Sequence, residues 1–275
     1  MPPGVITLLT DFGTADAFVG TMKGVILRIN PDVRLVDLTH AVPPQQIMVG
    51  ALALRSAVPF FPMGTIHVAI VDPGVGGPRQ PILIETERGI LVGPNNGVLS
   101  PAAEQMGRPF PRLLANAAFF RQPVSHTFHG RDIFAPAAAH LSRGSSPDAF
   151  GPPLESIVQL PLPQAAYTAT SATGEVVYVD HFGNLITNIS ANALQRFSGR
   201  PLSVSMKGRL VAGPVPAYTA VPEDSPLAIV GSWGMLEIAV RNGSAAERFG
   251  VGTGTPVNVS VESRAHEQPG SGSDF

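Results

Sequence analysis

Three loops of this chain carry residues that could do chemistry together. In the first, Val71-Asp72-Pro73-Gly74-Val75-Gly76-Gly77-Pro78-Arg79, an apolar run ends in a carboxylate, and a guanidinium follows seven positions later. Pro73 holds Asp72 extended and ends the strand there. A fully extended seven-residue segment spans roughly 23 Å, so the two charges meet only if the glycines and Pro78 reverse the chain. The glycine run is not a phosphate-binding G-x-x-x-x-G-K-[ST] loop, because no Lys-Ser/Thr pair follows. By itself the stretch reads as an ion-paired turn.

The second loop is Thr127-Phe128-His129-Gly130-Arg131-Asp132. His129 stands just ahead of an expected helix, whose positive N-terminal end disfavours imidazolium. A neutral imidazole is what a general base must be near pH 7. Arg131 and Asp132 read as helix-start structure. In the third, Asp180-His181-Phe182-Gly183-Asn184, the plain reading is a hairpin turn. The functional one is a carboxylate, an aromatic face and amides suited to a polar ligand with a flat ring, such as a nucleoside. Ser232-Trp233-Gly234 and Asn242-Gly243-Ser244 follow, the latter a strong turn signal. No H-x-x-x-H spacing marks a metal site, so none is expected.

The elements that must position these loops follow from periodicity. Val5–Leu9, Val33–Leu38 and Thr65–Val71 read as strands. Phe18, Met22, Val25, Ile26 and Ile29 recur at helical spacing behind Thr14 as a candidate N-cap, and Ile47–Val58 reads as a second helix. Strands are expected at Ile82–Glu85 and Ile90–Val92, and a helix at Ile133–Leu141 with Asp132 as its cap. Alternating strands and helices imply a mainly parallel sheet, in which ligands bind beyond the carboxyl ends of the strands. Asp11 and Asp72 lie at such ends. After a Pro-rich stretch the texture changes to short β-like runs at Glu175–Val179, Leu202–Met206, Leu227–Val230, Leu236–Val240 and Val257–Val261, which suggests a small antiparallel barrel. The expected organisation is an α/β domain at 1–160, a linker at 161–170, a C-terminal β-barrel at 171–264 and a disordered tail at 265–275.

Composition narrows the function. With 44% apolar and 14% charged residues and a net charge of −2, the chain is globular and has no basic stripe for nucleic acid. It has no cysteine, which excludes disulfides and thiolate chemistry. No signal peptide and no stretch near the roughly 20 apolar residues of a membrane span is visible, so a cytoplasmic protein is expected.

In order, T-D-F-G with D-x-F-V-G-x-x-K-G, V-D-P-G-V-G with its later Arg, P-N-N-G, T-F-H-G-R-D-I-F-A-P-A-A-A and D-H-F-G-N-L-I-T-N-I resemble the S-adenosyl-L-methionine (SAM) hydroxide adenosyltransferases, relatives of the fluorinase and chlorinase. The likeness runs from about Thr7 to Val261. It implies an N-terminal α/β domain, a C-terminal β-barrel and a homotrimer with active sites at subunit interfaces. It also implies an Asp-Arg-His catalytic set at Asp72, Arg79 and His129. The fluorinase branch carries Tyr at the positions of Asp72 and His129 and a halide-binding Ser at that of Gly130; this sequence departs at all three. Further substrate contacts carry over to Asp11 (ribose hydroxyls), Asp16 and Asp180 (methionine amino group), Asn184 (ribose or adenine) and Ser232 (methionine carboxylate), and Phe182 is the aromatic face expected beside the substrate. Trp233 stands where the halogenases have Arg, Asn242 heads an adenine-contacting turn, and Gln45 falls near a Trp that covers the ribose in the halogenases.

The activity so implied is attack of water or hydroxide at C5′ of SAM, releasing adenosine and L-methionine without any cofactor. His129, oriented by Asp72, is expected to accept the proton, with Arg79 keeping Asp72 ionised. A non-catalytic SAM or nucleoside binder and a halide-using enzyme are the alternatives.

Overall fold

A computed structural model describes residues 4–262. The expected tail at 265–275 lies outside them. The chain divides into two compact units between Pro161 and Leu162.

In the first unit, β1 (Val5–Thr10) leads to α1 (Phe18–Ile29), β2 (Arg34–Thr39), α2 (Ile47–Ala57) and β3 (Thr65–Ile70). Then come β4 (Pro81–Glu85), β5 (Gly89–Pro94), α3 (Ser100–Met106), β6 (Phe110–Leu113) and α4 (Ala135–Ser142). The sheet order is β2-β1-β3-β5-β4-β6, parallel across its first four strands and antiparallel at β4 and β6. Side chains on a strand alternate between faces, so neighbours enter different cores. Leu8 packs with Met22, Ile26 and Ala138 of α1 and α4, while Leu9 packs with Ala51, Leu54 and Ala102 of α2 and α3. Every residue of β3 is buried, as a strand covered on both faces must be. Each fully buried Leu or Ile contributes roughly 1.5–3 kcal/mol of transfer free energy.

Two local expectations fail. Thr14 does not cap α1, whose N-cap is Ala17 with no side-chain bond. Asp132 does not cap a helix either: it lies inside a π-helical turn, Gly130–Phe134, that continues into α4. Phe18, the first apolar residue of the α1 spacing, is 47% exposed. Its ring instead meets Phe12 and Phe128 edge-on, with centroids 6.1 and 5.3 Å away.

The second unit is a β-barrel. Its strands are β7 (Ala166–Tyr167), β8 (Ser171–Val179), β9 (Leu185–Ser190), β10 (Leu202–Met206), β11 (Arg209–Val215), β12 (Pro226–Val230), β13 (Met235–Val240) and β14 (Pro256–Val261). Pairing runs β14-β10-β11-β12-β13-β9-β8 and returns from β8 to β14, which closes seven strands and leaves no open edge. All pairs are antiparallel except β11–β12. The short β7 pairs with β8 outside the ring, within the stretch expected to be a linker. Val176, Leu185, Ile189, Phe197, Val204, Leu236, Ile238 and Val259 fill the interior. Among the described residues, no helix is long and apolar enough to cross a membrane.

The loop after β3 reverses as the opposite charges require. Val75 N–H donates to the Asp72 carbonyl (3.3 Å) and Gly77 N–H to that of Gly74 (3.0 Å). Gly76 has φ +75°, and a Cβ there would run into the backbone carbonyl of His126. Glycine is therefore required, and the loop docks on the segment that leads to His129. Gly76→Ala should cost at least about 1–2 kcal/mol from the left-handed backbone alone, more with the overlap. A lowered urea midpoint is the expected result; a wild-type midpoint would contradict this docking.

Candidate active site

The docked loop brings Asp72, Arg79 and His129 together. Arg79 Nε lies 2.9 and 3.0 Å from the two carboxylate oxygens of Asp72, and Nη2 donates to Asp72 Oδ2 as well. The same Nη2 lies 2.7 Å from His129 Nδ1. The Arg79 and Asp72 side chains are only 10% and 5% exposed. Arg79 Cζ sits 5.6 Å from the centre of the Phe134 ring. Its remaining terminal nitrogen, Nη1, is buried and has no hydrogen-bond partner among the described residues.

This order differs from the expected one: the guanidinium stands between the carboxylate and the imidazole. Asp72 does not orient His129 directly. Guanidinium has donors and no lone pair, so His129 Nδ1 must accept. The neutral ring then carries its proton on Nε2. Burial, and next the Arg79 charge, push the His129 pKa below its ordinary value, outweighing the opposite pull of Asp72 and Asp132. The imidazole is thus neutral near pH 7, with its accepting nitrogen already occupied. Its other ring nitrogen carries an N–H.

A hub behind His129 fixes the loop. Asp132 is fully buried and accepts from Arg131 Nε (2.7 Å) and Nη2 (2.8 Å), Arg121 Nη1 (3.1 Å) and the Ser125 backbone N–H (2.9 Å). Burial alone would raise its pKa; the bonds from Arg131, Ser125 and Arg121 outweigh that and hold it below the usual range. Sequence reasoning treated Asp132 as a cap because a buried, multiply paired Asp has no local pattern. His67 makes a contrast. It is buried in β3 beside Thr7 (2.8 Å), and burial pushes its pKa down to about 4, which marks it as structural.

Of the expected substrate residues in this unit, Asp11 follows β1 and accepts the Gln45 backbone N–H at 2.8 Å. Gln45 itself has φ +66°, and its backbone, more than its side chain, meets the acid. Asp16 is exposed. At the Gly130 position a Cβ would lie 3.2 Å from Met22 Sδ and Phe128 Cε2 and 3.4 Å from Ile70 Cδ1. These apolar walls leave little space for a halide-binding Ser.

The other expected residues lie in the barrel. Asp180 organises the β8–β9 turn, accepting from the backbone N–H of Phe182 (2.9 Å) and Asn184 (2.8 Å) and from Asn184 Nδ2 (2.9 Å). Phe182 is 73% exposed at the tip. Asp180 also lines a cleft of about 70 Å³ with Ser232, Trp233, Met235 and Glu237, and the Trp233 ring rests on Tyr178 with centroids 4.8 Å apart. Asn242 lies apart from this cleft, in the turn after β13, where it has φ +60° and donates to Glu223 at 3.2 Å. Glu237 was missed: it is 6% exposed and accepts from the Tyr218 hydroxyl at 2.6 Å. Burial raises its pKa, and Asp180 adds to that. The visible signal was a lone acid inside the apolar run Met-Leu-Glu-Ile-Ala-Val of β13.

Comparison with known proteins matches residues 6–151 to the SAM hydroxide adenosyltransferase N-terminal domain and residues 174–258 to its C-terminal domain. A protein of Salinispora tropica named (R)-S-adenosyl-L-methionine hydrolase is 40% identical over 264 residues, covering 94% of this chain and 99% of its own length. One of the same name from Thermus thermophilus is 40% identical over 265 residues, covering 92% and 98%. A fluorinase of Actinopolyspora mzabensis is 26% identical over 289 residues, covering 93% and 96%. The crystal structure of an uncharacterized conserved protein from Thermotoga maritima superposes with a TM-score of 0.87 at 35% identity, covering 92% of this chain and 99% of that one. On this fold, this Asp-Arg-His arrangement and these matches, the chain belongs to the SAM hydroxide adenosyltransferase family.

Proposed function

We infer that the protein is a SAM hydrolase that transfers the adenosyl group to the oxygen of hydroxide or water, giving adenosine and L-methionine. The named hydrolases at 40% identity over nearly the whole chain support the reaction. The observation that carries the mechanism is the two-sided use of Arg79, which leaves the site with hydrogen-bond donors and no available base. Those donors are the His129 Nε2–H and Arg79 Nη1, which has no hydrogen-bond partner among the described residues.

Such a pair is suited to hold oxygen lone pairs. Water has a pKa of about 15.7 and free imidazole about 6.5. A histidine pushed lower still, with its acceptor nitrogen occupied, is a poor base for it. We therefore assign His129 and Arg79 to positioning hydroxide. Its oxygen attacks C5′, the C5′–S bond breaks, and the electron pair leaves on sulfur as a neutral thioether. No proton moves in that step, and the reaction as written needs no cofactor. Asp72 keeps the guanidinium fork in register. Attraction between hydroxide and sulfonium strengthens as water is excluded, and placement of the oxygen against C5′ supplies much of the rest. Asp11 is assigned to the ribose hydroxyls, which a carboxylate can accept together. Asp16 and Asp180 are assigned to the methionine ammonium, Ser232 and Trp233 to its carboxylate end, and Phe182, Asn184 and Asn242 to the nucleoside. The homotrimer and the cytoplasmic setting implied by the resemblance belong to the same proposal.

Asp72→Asn, Arg79→Lys and His129→Leu should each lower adenosine formation by about 100-fold or more, with SAM binding by calorimetry changed only a few-fold. Lys retains the charge beside Asp72 but lacks the planar fork that reaches both partners. Turnover at the wild-type rate in all three would overturn these roles. The pH profile separates hydroxide capture from base catalysis. If His129 were the base, kcat/KM would level off above its lowered pKa, hence below about pH 6.5. Hydroxide capture predicts a tenfold rise per pH unit continuing through neutrality.

A further inference from the structure

The loop that presents Asp11 is held by a side chain that the reaction does not use. Thr10, fully buried at the end of β1, accepts the Phe12 backbone N–H at 3.2 Å, and its hydroxyl lies 2.9 Å from His40 Nδ1. The backbone carbonyl of His40 accepts the Gly13 N–H at 2.8 Å. His40 therefore grips the chain on both sides of Asp11, by its side chain before it and its main chain after it. With one Asp11 oxygen taken by the Gln45 N–H, Asp11 Oδ1 accepts no hydrogen bond among the described residues.

The direction of this chain of contacts is set by its ends. Asp37 faces Nε2 and a carboxylate only accepts, so in the neutral ring Nδ1 accepts the Thr10 hydroxyl proton and the ring proton sits on Nε2. That nitrogen lies 2.9 Å from Asp37 Oδ1, but obliquely enough that it has no aligned hydrogen bond. Asp37 is held in turn by Lys23 of α1 at 2.6 Å. His40 is 6% exposed. A buried imidazole with one poorly aligned N–H is costly to keep, and β1 does not need it, since that strand is already paired on both sides.

We propose that His40 is a positioning residue for ribose recognition: through Thr10 and Gly13 it fixes the direction of the Asp11 carboxylate toward the substrate hydroxyls. This rests on Asp11 being the ribose acceptor. A device that aims a carboxylate at hydroxyls affects discrimination between ligands that have and lack them, whereas a merely structural residue affects both alike.

The test is binding of adenosine and 2′-deoxyadenosine by calorimetry. Wild-type protein should prefer adenosine by about tenfold or more, and Asp11→Ala should abolish the preference. His40→Leu and Thr10→Val should each reduce it to about threefold or less while changing 2′-deoxyadenosine binding little. His40→Asn should restore it, because an amide oxygen can accept the Thr10 proton. Equal weakening of both ligands, an intact preference in the Leu and Val variants, or no restoration by Asn would overturn the proposal with the assignment of Asp11 untouched. Absence of any preference in the wild type would instead remove that assignment, and the proposal with it. Should His40→Leu not fold, Thr10→Val and His40→Asn decide the matter.

Discussion

The structure of the candidate site depends on one guanidinium shared between a carboxylate and an imidazole. Arg79 is planar and carries donors along two edges, so it can bind Asp72 with Nε and Nη2 while Nη2 also reaches His129. An ion pair this buried is a weak source of stability, since desolvation offsets most of its attraction. Its value lies in geometry. It forces the glycine-rich loop to fold back, fixes the tautomer of His129 and leaves the Nη1 amino group without a hydrogen-bond partner among the described residues.

That arrangement suits the chemistry of a sulfonium. Most hydrolytic sites must activate water against a poor electrophile and then protonate a leaving group. Here the carbon under attack already bears a cationic sulfur, and methionine departs neutral. What remains is to bring an oxygen lone pair to C5′ from the correct side, and donors do this better than a base. The same logic bears on the fluorinase relationship. A halide also brings lone pairs and no proton, so two nucleophiles can be served on one fold by changing the few groups that hold them. In this chain the apolar walls around Gly130 leave little space for a side chain at that position.

Much of this could be read from the chain. The burial patterns of β1 and β3 and the helical spacing through α1 and α2 are local properties, and their periodicities identify the sheet and its covering helices. Asp72 and Arg79 were visible as opposite charges flanking a loop rich in glycine, but by themselves they read as an ion-paired turn, and His129 joined them only through the resemblance. The order of the three was not visible, because which side of a guanidinium meets which partner is decided by packing of the 125–128 segment against Gly76. Asp132 and His40 were illegible for the same reason: each also bonds to a group that lies beside it only after folding, Arg121 for the first and Thr10 for the second. β9 and β11 were missed where Asn, Gly and Pro interrupt apolar alternation, since barrel closure outweighs their weak intrinsic preference.

The tautomer of His129 is the most direct point at which to probe this account. Nitrogen-15 NMR of the imidazole at neutral pH reports which ring nitrogen holds the proton. A neutral ring protonated on Nε2, with Nδ1 accepting and that assignment lost in Arg79→Met, is the predicted result. A proton on Nδ1, or a cationic ring at pH 7, would contradict it.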